Sequence, residues 1–303
     1  MLIKRLTVIG VGLIGGSLAR ALKRAQACAH ITGCAPEVKE LKRALTLGVI
    51  DDFYTDIGVA IKGAEIVVVA VPLGAMAAVF QQLAGHLDEA TVVTDVGSVK
   101  SRVVEAARRC LGPYLPRFVP GHPLAGTEKS GVEASLVDLF DGHRVILPPT
   151  AETDPRALAQ ITKLWGQAGA LVEIMEAARH DEVLAATSHL PHVLAYALVQ
   201  ALAKMEESGT VFRFAAGGFA DLTRIASSNP ALWHDIVFAN REAVLTMIER
   251  FHQELTALAE AIRARDRGKV LESFTQAKAA RDAFAVHRQM YTDLAGYQLE
   301  SDE

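Results

Sequence analysis

One histidine, His122, stands in the segment Gly121-His122-Pro123-Leu124-Ala125-Gly126-Thr127-Glu128-Lys129-Ser130-Gly131, directly after the short apolar run Phe118-Val119. On backbone freed by three glycines, with hydroxyl and charged groups beside it, such an imidazole suits a general base titrating near neutral pH. The same residue also fits an ordinary strand-to-helix turn. Thr127, Glu128 and Lys129 are the polar groups with which this loop would hold a substrate.

Three more segments carry chemistry. Ser98, in Asp95-Val96-Gly97-Ser98-Val99-Lys100, either sets the tautomer of His122 or caps a helix expected from about Ser101. Ser188-His189-Leu190-Pro191-His192 is expected to open a helix reaching about Met205, with Pro191 in its first turn. His189, His192 and Tyr196 then share a face, as pocket groups or as satisfied core histidines. No cysteine or carboxylate set converges with them, so no metal site is expected. Arg224, in Asp221-Leu222-Thr223-Arg224-Ile225, is either a bidentate fork for a carboxylate or one half of a surface salt bridge.

The elements that position these groups begin with a β-branched run from Ile3 to Ile9, followed by Gly10-Val11-Gly12-Leu13-Ile14-Gly15 and a helical pattern to Lys23. Strand, G-x-G-x-x-G and helix together predict a dinucleotide site at Gly10, Gly12, Leu13, Ile14 and Gly15. The first glycine permits the turn, the second admits a pyrophosphate and the third lets helix pack on strand. An acid that holds the ribose 2′-hydroxyl of NAD is expected about 20 residues further on. Ala35 stands there, and with Lys39, Lys42 and Arg43 nearby the cofactor reading leans to NADP over NAD.

Ala64 to Val71 is a nearly continuous apolar run ending at Pro72, which reads as a parallel strand buried on both faces. Thr91 to Thr94 repeats it. Ligands sit beyond the carboxyl ends of such strands, so Val71, Pro72, Asp95 and Gly97 join the cofactor rim, with His122 close by. Strands at Arg144–Leu147 and Leu171–Ile174 flank a helix from Asp154 to Ala168. After Ile174 only helical spacing remains, which predicts an α/β domain of the Rossmann kind over 1–174 and an all-α domain over 175–303. Its long apolar stretches, Ala231 to Ala264 and Val270 to Met290, suit a homodimer interface. The tail from Gln298 to Glu303 is expected to fray.

Composition narrows the classes. The 303 residues are half apolar and carry 35 acidic against 31 basic side chains with no long block of one sign, which argues against nucleic acid or a membrane surface as partner. Three cysteines without a C-x-x-C pair suit a reducing cytoplasm.

The glycine motif extended to Ser17, the Asp95–Lys100 segment, the His122 segment, Ser188–His192 and Asp221–Ile225, in this order, resemble the prephenate/arogenate dehydrogenase family of tyrosine biosynthesis. The resemblance implies a Rossmann domain followed by a helical dimerisation domain, and NAD(P)-dependent oxidative decarboxylation of a small dicarboxylate. His122 would then accept the ring-hydroxyl proton and Ser98 would orient it. Arg224 would grip a substrate carboxylate, His189 and His192 would line the pocket, and Glu128 would gate it through Arg224. Two other readings compete. One is a hydroxyacid or imine-reductase type of dehydrogenase, which would present a catalytic lysine in the second domain, and the other is an NADP-sensing regulator without turnover.

Overall fold

The computed structural model describes residues 2–301, with side chains as far as residue 285. Its first sheet has six parallel strands: β1 (Leu6–Ile9), β2 (Ile31–Cys34), β3 (Asp52–Tyr54), β4 (Ile66–Val69), β5 (Val92–Asp95) and β6 (Phe118–Val119). They lie in the order β3-β2-β1-β4-β5-β6, the double-wound arrangement of a Rossmann sheet. Between them run α1 (Leu13–Arg24), α2 (Val38–Thr46), the single turn α3 (Ile57–Ala60), α4 (Leu73–Ala84) and α5 (Lys100–Cys110).

Side-chain alternation explains why β4 is apolar throughout. Ile66 and Val68 enter a core with Leu18 and Leu22 of α1, while Val67 and Val69 enter the opposite core with Phe80 and Leu83 of α4. The register sets Ile9 beside both Cys34 and Val69, and Val69 beside Asp95. Gly10, Ala35, Ala70 and Val96 therefore leave the sheet along one edge, as expected for a ligand-carrying rim.

A second sheet holds β7 (His122–Pro123), β8 (Arg144–Leu147) and β9 (Leu171–Ile174), with β7 antiparallel to β8 and β8 parallel to β9 across the crossover helix α6 (Pro155–Gln167). The two expected last strands thus build a sheet of their own. His122 is the first residue of β7, paired with Ile146, rather than part of a free loop.

From Ala177 the chain is helical: α7 (Ala177–Leu184), α8 (Leu190–Ala203), α9 (Ser208–Arg213), α10 (Gly217–Thr223), α11 (Pro230–Ala239), α12 (Arg241–Arg263) and α13 (Arg267–Ser301). Pro191 lies in the first turn of α8, as expected, but the helix does not begin there. Helical backbone runs through Ala185–His189 in a wide turn, in which the amide of Leu190 bonds the carbonyl of Ala185, five residues back. That widening accommodates a proline with no N–H to donate inside a continuous helix. The apolar stretch from Ala231 to Ala264 is divided into two helices at Asn240, whose side chain is drawn inward.

The strands end at Ile174, but the chain's two compact units are Met1–Arg241 and Glu242–Glu303. Helices α7 and α11 pack on α5 and α4, so they belong to the first unit. The second unit contains α12 and α13, on which Leu255, Ile262, Leu271 and Phe274 are each more than half exposed. Within the tail expected to fray, α13 continues to Ser301, and Asp302 and Glu303 lie outside the described residues. No described helix is long and apolar enough to cross a membrane.

Candidate active site

The glycine turn has the geometry its sequence requires. Gly10 has φ +94°, and a β-carbon there would lie 2.3 Å from the carbonyl oxygen of Ala70. One on Gly15 would lie 2.2 Å from the carbonyl oxygen of Gly10, so both positions are closed to side chains. A β-carbon on Gly12 would meet nothing within 4 Å. Gly12 also begins α1, which has no side-chain cap and no acid in its first turn. Open space at a helix N-terminus whose amides lack a side-chain partner fits a pyrophosphate. Gly12, Leu13 and Ile14 would hold it, with Val71 beside Gly10 and Pro72 opening α4.

The rim residue Asp95 works inside the protein. Its carboxylate is fully buried, with Oδ2 2.5 Å from Lys100 Nζ and 2.7 Å from the donating amide of Gly97, and Oδ1 accepting from the amide of Gly121 at 3.1 Å. Lys100 also donates to the carbonyl of Gly121 at 2.6 Å. Both carboxylate oxygens of Asp95 are therefore engaged within the protein. The pair clamps the residue before His122 to the end of β5. Gly121 is required there, since a β-carbon would lie 2.8 Å from the Asp95 carbonyl oxygen.

His122 is buried, and its Nδ1 lies 2.8 Å from Nε2 of the fully buried His180. His180 Nδ1 in turn lies 2.8 Å from Asp181 Oδ1. The Asp181 carboxylate also accepts the backbone amides of Lys100 at 2.7 Å and Ser101 at 2.8 Å, so it caps the N-terminus of α5. Burial opposes its charge, but hydrogen bonds from His180, Ser101 and Lys100 outweigh that and hold its pKa below 3.8. Burial, then the neighbouring His180, Lys100 and His189, push His122 well below 6.5, so it is a neutral imidazole at pH 7.

The other expected residues gather nearby. His189 is buried, with Nδ1 3.1 Å from Asn240 Nδ2, and Asn240 Nδ2 also donates to the Asp181 carbonyl at 2.7 Å. Burial draws His189 down to about 4. His192 stacks on Trp233 with ring centroids 3.4 Å apart, and its Nδ1 donates to the Ser188 carbonyl at 2.9 Å. Burial lowers its pKa, with Arg224 adding to the effect. Tyr196 donates to the Ser228 carbonyl at 2.7 Å, tying α8 to the turn before α11. Arg224 and Glu128 form an ion pair at 3.2 Å, and Thr127 and Lys129 are exposed on the same loop as Glu128.

Two family models cover this arrangement: the nucleotide-binding domain of prephenate dehydrogenase matches residues 18–174, and its dimerization domain matches 176–276. The chain belongs to the prephenate dehydrogenase family. It is an oxidoreductase with a Rossmann domain followed by a helical domain. Cyclohexadienyl dehydrogenase of Zymomonas mobilis is 39% identical, over 92% of this chain and 95% of its own. Prephenate dehydrogenase of Bacillus subtilis is 37% identical, over 97% of this chain and 79% of its own. A solved prephenate dehydrogenase from A. aeolicus, in complex with hydroxyphenyl propionate and NAD+, superposes with a TM-score of 0.88 at 37% identity, covering 94% of this chain and 99% of that one.

Against this family background, Ser98 is half-buried on the β5–α5 loop, and its hydroxyl makes no hydrogen bond among the described residues. The partner that holds His122 is His180, which the sequence did not single out. His180, Asp181, Lys100, Asn240 and Trp233 are the site residues that sequence reasoning missed. A signal existed for the first. His180 and Leu184 stand four apart on the buried face that continues to His189, although Arg179 and Glu182 make the segment look solvated.

Proposed function

We propose that the chain catalyses NAD(P)-dependent oxidative decarboxylation of prephenate, arogenate or both, to 4-hydroxyphenylpyruvate or tyrosine. The observation that carries this reading is the neutral, buried His122 held through Nδ1 by His180 beside a nucleotide-binding rim. The names of the relatives, and the complex of the A. aeolicus enzyme with hydroxyphenyl propionate and NAD+, point to the same substrate class.

His122 takes the proton of the ring hydroxyl, which raises electron density on the carbon that loses hydride. A nicotinamide held at the glycine rim would supply the hydride acceptor, and loss of carbon dioxide from the substrate would then make its ring aromatic. Arg224 grips a substrate carboxylate and exchanges it for Glu128, its partner in the free chain. His189 and His192 line the pocket, Thr127 and Lys129 bind the substrate from the β7 side, and Ser98, unbonded in the free chain, joins His122 only once cofactor and substrate are in place.

NADP is preferred to NAD in this reading, because Ala35 offers no carboxylate to repel a 2′-phosphate, and the exposed Lys39 and Lys42 follow on α2. Arg43 is paired with Glu133 at 2.9 Å and is the weaker candidate of the three. The enzyme is a cytoplasmic homodimer joined through its helical domain, with the domain boundary at 174/175. The family's dimerization-domain match and the exposed apolar side chains of α12 and α13 support the dimer.

Formation of reduced nicotinamide, measured with prephenate and arogenate each paired with NAD and NADP, tests the reading. One dominant pair by kcat/KM is expected. Silence in all four assays with folded, nucleotide-binding protein would overturn it and favour a sensing role.

A further inference from the structure

The imidazole of His122 does not stand alone: its partners follow in the order His180 and Asp181. Asp181 is held as a carboxylate at the α5 N-terminus by two backbone amides, so it only accepts, and the hydrogen in the 2.8 Å contact belongs to His180 Nδ1. His180 Nε2 is then the atom that faces His122. One hydrogen lies in that 2.8 Å contact, and the relay proposed below starts with it on His122 Nδ1, donated to His180 Nε2. His122 Nε2 is left as the lone-pair nitrogen. On His189 the donating amide of Asn240 requires an accepting Nδ1, which leaves Nε2–H as its free donor.

We propose that His122, His180 and Asp181 form a proton relay, in which His180 takes the Nδ1 proton of His122 as His122 Nε2 receives the substrate's hydroxyl proton. This rests on His122 being the base in the reading above. The substrate O–H bond breaks and an N–H bond forms at His122 Nε2, while the His122 Nδ1–H bond breaks and one forms at His180 Nε2. The oxygen's electron pair becomes the carbonyl π bond as hydride leaves the same carbon with its own pair. When the carbon–carboxylate bond breaks, its electron pair enters the ring and arrives at that oxygen, which recovers the proton along the same path. No net proton is consumed.

The relay also answers an electrostatic difficulty. An imidazolium at His122 would be desolvated and would face the Lys100 ammonium of α5, itself paired with Asp95 of β5. Moved to His180, the charge lies against the Asp181 carboxylate of α7. The neighbouring His189, ahead of α8, stays neutral near pH 7. His180 and Asp181 act through His122, so they are positioning residues that also hold the proton.

Two substitutions separate proton transfer from orientation. In His180→Gln the amide oxygen can still accept from His122 Nδ1 and hold the ring, but it cannot take the proton. In Asp181→Asn the shape remains and the charge is lost. Both are expected to lower kcat/KM by about 100-fold, with unchanged nicotinamide nucleotide affinity. In Asp181→Asn the acidic limb of the kcat/KM profile is expected to move to lower pH, because the imidazolium loses its counter-charge. Nitrogen-15 spectra of the histidine-labelled full-length enzyme are expected to show His122 protonated at Nδ1.

A profile that does not move, with kcat/KM within about threefold of wild type in either folded variant, overturns the relay. So does an Nε2-protonated His122 in the spectra, a result that needs no variant to fold. His122→Asn tells the two proposals apart. Turnover retained in that variant defeats the base assignment itself, whereas a silent His122→Asn beside wild-type-like relay variants defeats only the relay.

Discussion

Lys100 Nζ and Asp95 Oδ2 meet at 2.5 Å with both side chains fully buried, and the same ammonium holds the carbonyl of Gly121, the residue before the catalytic candidate His122. One charge pair thus joins the end of β5, the start of α5 and the start of β7. Two buried charges are tolerated because each also bonds backbone: Gly97 and Gly121 amides to Asp95, the Gly121 carbonyl to Lys100.

Removing one partner leaves the other charge unpaired in the core. Lys100→Met is expected to cost about 3–5 kcal/mol of stability, read from urea denaturation. The double variant Lys100→Met with Asp95→Asn is expected to recover part of that loss, so the cycle is non-additive. Simple additivity would mean that the pair is not coupled.

Two glycines of the turn, Gly10 and Gly12, are expected to fail differently. Gly10→Ala forces a β-carbon onto the Ala70 carbonyl at positive φ and is expected to cost more than about 2 kcal/mol. Gly12→Ala meets no protein atom and is expected to change stability by less than about 1 kcal/mol. It is nonetheless expected to weaken NAD(P) binding at least about tenfold, because the β-carbon occupies the space where the pyrophosphate approaches. Calorimetric titration with thermal melts reads both, and unchanged nucleotide affinity in Gly12→Ala would move the site elsewhere.

Stability is expected to fall as pH drops from about 6.5 toward 4. His189 has a folded pKa drawn down to about 4 by burial, while in the unfolded chain it titrates near its ordinary value of about 6.5. The unfolded state therefore binds more protons in this window, so the stabilisation is complete above 6.5 and is lost progressively below it. His122, lowered for the same reason, adds in the same direction. The His189 share is on the order of 3 kcal/mol, and His189→Gln is expected to flatten the pH dependence of the urea midpoint between pH 7 and 5.

Cofactor choice is expected to turn on the residue after β2. Ala35→Asp places a carboxylate at the end of the strand adjoining the glycine turn, where it accepts from a ribose 2′-hydroxyl and repels a 2′-phosphate. The ratio of kcat/KM with NADP to that with NAD is expected to fall at least about tenfold. An unchanged ratio would show that specificity is set by other residues.

Much of the fold was legible because its signals are local. Strand, glycine turn and helix at the N-terminus, the continuous apolar β4 and the change of period after Ile174 each depend on neighbours in sequence, through backbone freedom and side-chain alternation. The family resemblance came from the same short motifs, and it included His122, His189, His192 and Arg224. Tertiary structure decided what those residues touch. His180 and Asp181 lie 58 and 59 positions after His122 in a segment that looks solvated, and they become site residues only because α7 packs on α5. Asp95 reads as a rim residue until Lys100 and Gly121 close on it. Asn240 reads as a helix interior until its amide is drawn between Asp181 and His189. Propensity and periodicity act over a few residues, whereas burial and the pairing of buried polar groups depend on segments brought together by packing, which a single sequence does not display.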